Sequence, residues 1–208
     1  AWEYQVVESG ATPAETGEAT SDNPLALTGL TSNTSFNVYV RANCGANGTS
    51  EWATVSFTTL IPATVPEYTN DFATFPGDLW SEGEGAIADG PSGTTAGWNG
   101  DSFSAPSYAR FNLWDDNDTD WLISPEFDLS AQVYYLNLDV SVTAYTGGVE
   151  ISMGSDDVVS LVMTTDGATW TVLKQWSAAD NLGNIFVGMD EIELGTSSSA
   201  RFALHADE

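Results

Sequence analysis

Positive charge is nearly missing from this chain. Only Arg41, Arg110, Lys174 and Arg201 carry it against thirty Asp and Glu, so 208 residues hold a formal net charge of −26. Such a surface repels phosphate backbones and anionic headgroups, which argues against nucleic acid and membrane surfaces as partners. It draws cations and stays soluble in salt. Cysteine is scarce too: Cys44 stands alone, so no internal disulfide framework exists. One histidine, His205, leaves no Cys–His pairing and no H-E-x-x-H. G-x-S-x-G and P-loop patterns are also missing. With thirty acids, accidental carboxylate pairs are certain, so no glycosidase dyad follows from sequence. The expectation is a protein without catalysis. No apolar run approaches the roughly 18 residues of a membrane span, so no membrane insertion is expected.

Hydrophobic residues make up 42% of the chain and include eight Trp, enough for a packed core. Helical periodicity is scarce as well. Short alternating runs separated by Gly, Asn, Asp and Ser predict an all-β fold. Trp2, Tyr4 and Val6 alternate with Glu3 and Gln5; Phe36, Val38, Val40 and Ala42 alternate with Asn37, Tyr39 and Arg41. "IPATVPE", residues 61–67, holds two prolines and reads as a stiff linker. After it, "YTNDFATFP", "PSYARFNLW", "DWLISPEFDLS", "VYYLNLDVSVTAY", "GVEISMGS", "VSLVMTTDGATWTVLKQW", "NIFVGMDEIELG" and "ARFALHAD" each read as strand-bearing. Asp166-Gly167 between two apolar runs predicts a tight hairpin, with Trp170 opening the return strand.

"PLALTGLTSNTSFNVYVRANCGANGTSEWATVSFTT" resembles the second half of a fibronectin type III domain, carried by Leu30, Phe36, Val38, Val40, Ala42, Trp52 and Phe57. Phe36 stands where that family has its corner tyrosine, and the opening strands are missing. The resemblance implies a partial sandwich over residues 1–60, with Trp2, Tyr4, Phe36 and Val38 on a face short of cover. Residues 61–66 form the linker. Residues 67–208 resemble the jelly-roll modules called choice-of-anchor J, related to cleaved-adhesin and MAM-like domains. The carrying motifs are "DWLISPEFDLS", "TTDGATWTVLKQW" and "SSARFALHA". The resemblance implies an extracellular or cell-surface bacterial protein of Bacteroidetes type. It also implies neighbouring domains of a longer chain, with the missing strands supplied either by further residues of that chain or by a strand donated from a neighbouring subunit.

Two groups of residues are candidates for a site. Asp116-x-Asp118-x-Asp120 opens like a calcium loop, with oxygen ligands at alternate positions. Trp121 then stands where an EF-hand needs Gly, and Phe127 where it needs a bidentate acid, which excludes that motif. The jelly-roll resemblance implies another geometry, a structural Ca²⁺ shared with a first-strand ligand, for which Asp71 is the candidate. Trp80, Trp98 and Trp114 lie on or near loops, where an aromatic face can stack on a pyranose. Two functions follow as expectations. One is a structural or adhesive module; the other is a carbohydrate-binding accessory region of a secreted hydrolase or protease, meeting polysaccharide or cell-surface glycan.

Overall fold

A computed structural model of the chain describes residues 1–101, 107–114, 118–145, 149, 151–188 and 191–208. The fold is all-β, built from antiparallel sheets, and it divides into two compact units, Ala1–Pro62 and Ala63–Glu208.

The first unit is one four-stranded sheet of β1 (Trp2–Glu8), β2 (Glu18–Thr20), β3 (Ser35–Ala42) and β4 (Ala53–Thr58), in the order β2-β1-β3-β4. Cross-strand register places Tyr4 opposite Val40, Val6 opposite Val38, and Phe36 opposite Phe57. The period of two therefore collects the apolar residues on one face. That face is only partly covered. Phe36 is buried and stacks on Phe57 at 5.9 Å, and Tyr4 and Val38 are half-buried, but Trp2 is half exposed. The Tyr4 hydroxyl finds an acceptor in Glu18 at 2.7 Å. On the other face Arg41 pairs with Glu3 at 2.6 Å and lies over the Trp52 ring at 4.2 Å. Cys44 is exposed.

The second unit contains β5 (Ser81–Glu84), β6 (Asn99–Asp101), β7 (Tyr108–Arg110), β8 (Thr119–Ile123), β9 (Tyr135–Leu136), β10 (Asp139–Val140), β11 (Val158–Thr164), β12 (Thr171–Ser177), β13 (Val187–Gly188), β14 (Ile192–Glu193) and β15 (Arg201–Asp207). Five of them form its main sheet, in the order β12-β11-β15-β8-β5. The short strands pair as β6 with β7, β9 with β14 and β10 with β13. Alternation again divides the side chains. Leu122 and Ala206 face a cluster of Trp98, Trp80, Phe72, Phe75 and Phe111. Trp121, Ile123, Ala203 and Val162 face the opposite way, toward Trp170 and Ile87. A third cluster joins Phe127, Leu129, Leu161, Trp176 and Phe202.

Several elements differ from the sequence expectation. "YTNDFATFP" forms no strand: Phe72 has φ +55°, and its N–H donates to Asn70 Oδ1 at 2.9 Å. The first strand of this unit is thus β5, whose Glu-Gly-Glu-Gly run hides it. "VYYLNLDVSVTAY" breaks into β9 and β10, each pairing over only two residues. The hairpin between β11 and β12 is no two-residue turn. Six residues connect Thr164 to Thr171, closed by the Asp166 carboxylate, which accepts from the N–H groups of Ala168 and Thr169 and from the Thr164 hydroxyl. Asp166 turns its own backbone, so Trp170 precedes the return strand and drops into the core.

Candidate functional site: an acidic cleft beside the main sheet

The cleft is built outward from β8. Apolar Trp121, Leu122 and Ile123 hold that strand inside the sheet, and Asp120 enters with them, leaving it 5% exposed. Its direct cross-strand neighbour is Glu84 of β5. Two carboxylates therefore project from adjacent strands on one face. Asp120 Oδ1 accepts the Gly97 N–H at 3.0 Å, and the Asp120 carbonyl accepts the Trp98 indole N–H at 3.3 Å. Glu84 Oε1 accepts the Thr95 hydroxyl at 3.2 Å. A Cβ on Gly97 would lie 2.7 Å from Phe111, so only glycine lets this loop pass so close to that ring. Burial pushes the Asp120 carboxyl above its ordinary range; Asp118 and Glu84 add repulsion, while the Gly97 N–H opposes both.

The resulting cleft has a volume of about 640 Å³. Glu84, Asp118, Asp120 and Glu208 give it acidic walls, Ser92, Thr95 and Asn112 add neutral polar groups, and Phe111 and Trp114 are its aromatics. The Glu208 N–H donates to the Asp118 carbonyl at 3.1 Å, which brings the two acids together. Trp114 is 82% exposed. The cleft can offer a ligand carboxylate and hydroxyl groups together with one open indole face.

The candidate residues separate in space. Asp118, Asp120 and Trp114 line one cleft. Trp98 is 7% exposed and packs beneath it against Phe111 at 5.4 Å, so it supports the wall and offers no open stacking face. Trp80 lines a different recess. Asp71 lines neither; its carboxylate accepts the Ala73 N–H at 3.0 Å in a local turn. Without a strand at residues 68–76, it lacks the first-strand position that singled it out. Asp116 lies outside the described residues. Among the described residues, no three acidic, histidine or cysteine side chains gather closely enough to hold a metal ion. Glu84 and Glu208 escaped sequence reasoning, because only the pairing of "SEGE" with "TDWLI" brings Glu84 to Asp120.

His205 is 2% exposed. Its Nε2 donates to the Gly85 carbonyl at 3.1 Å, and that oxygen also accepts the Trp121 indole N–H. Burial lowers its pKa, so the ring is neutral with Nδ1 bare inside the core. It is a packed residue, edge-on to Trp121 at 4.8 Å.

No family model, no curated protein and no solved structure matches this chain.

Proposed function

We propose that the chain is a non-catalytic adhesive module of a large secreted or cell-surface bacterial protein, and that it meets its ligand at the Trp114 cleft. In this reading residues 1–60 are a partial fibronectin type III-like sandwich and residues 67–208 a jelly roll, joined by residues 61–66. The observation that carries the reading is the open cleft itself, with an indole 82% exposed beside four carboxylates. Tryptophan is enriched at binding contacts, and here it lies open on a cleft rather than singly on a flat surface. Multidomain adhesins gain avidity by repeating weak contacts of this kind.

Trp114 also favours a second reading, a carbohydrate-binding accessory region of a secreted hydrolase or protease. Beads coated with the chain, offered to cells and to a glycan array, separate the two. Retention on cell surfaces with no glycan bound, reduced at least severalfold by Trp114→Ala, supports the adhesive module. Binding to one polysaccharide, lost in the same variant, supports the accessory region. Unchanged retention by the variant refutes the cleft as the contact site.

Structural calcium enters this reading at Asp118 and Asp120. Glu84 and Glu208 line the same cleft, but among the described residues no three Asp, Glu, His or Cys side chains gather closely enough to hold a metal ion, so the side-chain donor set fits a calcium ion only in part.

A further inference from the structure

Strand β5 places two glutamates on one face, two residues apart. Glu84 belongs to the acidic cleft. Glu82 lines a separate recess of about 400 Å³, together with Trp80, Pro76, Pro91 and Ile123. Its Oε1 is fully buried and accepts no hydrogen bond. Among the described residues no cation pairs with this carboxylate. A buried acceptor without a donor is rare in native proteins, because the group loses its hydrogen bonds to water and gains none in return. Burial first, and then the charge of Asp120, push the Glu82 carboxyl above its ordinary range. Among the described residues Oε1 has no donor and the carboxylate no paired cation.

Trp80 is held in place on the same recess. Its indole N–H donates to the Tyr68 hydroxyl at 2.7 Å, and its ring meets Phe72 edge-on at 5.3 Å. An aromatic ring fixed beside an unpaired carboxylate is an arrangement suited to a cation with an apolar body. We propose that this recess binds a primary ammonium group on an aliphatic stem, as a lysine side chain of a partner protein presents it. The ammonium group brings its positive charge and N–H donors to the Glu82 carboxylate where it lines the recess, and the charge balances the acid even though Oε1 itself is closed to solvent. Trp80 attracts the cation through its ring quadrupole. Pro76, Pro91 and Ile123 cover the methylenes, as apolar surface does for a snorkelling lysine. The net charge of −26 concentrates cations near the surface before they dock. The site is independent of the Trp114 cleft, so either can fail alone.

The test uses the full chain and follows the Trp80 indole N–H by NMR, assigned by its loss in Trp80→Phe. Nα-acetyl-lysine methylamide is titrated to about 100 mM, which covers millimolar dissociation constants. We expect a saturable shift at this signal and a loss of affinity of about tenfold or more in Glu82→Gln. The Nε-acetylated probe, which lacks the charge, leaves the signal in place. In the wild type the affinity falls as acid protonates Glu82, a readout that needs no variant to fold. Equal binding by Glu82→Gln, equal binding of the acetylated probe, or no shift at all overturns the proposal. Tighter binding of glucosamine than of the lysine probe overturns it in favour of an amino sugar.

Discussion

At the scale of single residues, the chain spends apolar neighbours on holding acids where water would suit them better. Asp120 is the clearest case. The folded state raises its pKa, so protonation favours the fold. That contribution is complete below the unfolded value, which is near 3.8, and is lost as pH rises through the folded value. At neutral pH Asp120 is therefore a liability, directly opposite Glu84. Asp120→Asn keeps an acceptor for the Gly97 N–H and removes the like-charge pair. We expect it to stabilise the protein at pH 7 by roughly 0.5–1 kcal/mol, the scale of a cross-strand charge pair. The gap to wild type should close as pH falls toward 4. Thermal melts of both proteins at several pH values check this; a less stable variant at pH 7 would contradict it.

At the scale of elements, the main sheet carries the site, and Leu122 ties the two together. It is fully buried, packs with Trp98 and Ala206, and lies cross-strand from Glu82. Leu122→Ala should cost about 2–5 kcal/mol, the range for a core leucine leaving a cavity. Urea denaturation followed through the midpoint measures it, and a loss under about 1 kcal/mol would mean that the site collapses freely. The strands that pack this core were legible in the sequence wherever apolar alternation ran long. "DWLIS", "VSLVMT" and "ARFALHAD" read directly as β8, β11 and β15, and Trp2–Val6 and Phe36–Ala42 as β1 and β3. The elements that failed have weak local signals. β5 is Ser-Glu-Gly-Glu, whose strand state comes from pairing with β8 and not from its own propensity. "YTNDFATFP" has strand-like residues, yet Asn70 captures the Phe72 backbone and turns it. The cleft was half legible for the same reason. Asp118, Asp120 and Trp114 lie close in sequence, whereas Glu84 and Glu208 arrive through long-range pairing.

At the scale of the whole molecule, charge sets how stability depends on salt. Residues 1–62 hold six acids and one base; residues 63–208 hold twenty-four acids and three bases. Three of the four cations already pair, Arg41 with Glu3, Arg110 with Asp101 and Arg201 with Glu126. Added salt weakens an exposed pair such as Arg201–Glu126, which contributes only about 0–1 kcal/mol, and screens the largely buried Arg41–Glu3 pair less. The same salt relieves repulsion within a surface of thirty acids against four bases, and that effect wins because it involves far more charges. The screening length falls from about 30 Å at 10 mM to about 3 Å at 1 M. Tm should therefore rise with NaCl across this range, by several degrees if the gain reaches about 1–2 kcal/mol. Residues 63–208 should respond more strongly than residues 1–62. Calcium chloride at matched ionic strength adds the second arm. A Tm above that of the NaCl series, reversed by chelator, is what a specific ion at Asp118 and Asp120 produces by binding only the folded state. Coincident curves for the two salts would leave screening as the whole effect and remove calcium from the proposed function. A Tm flat in NaCl would refute the repulsion argument itself.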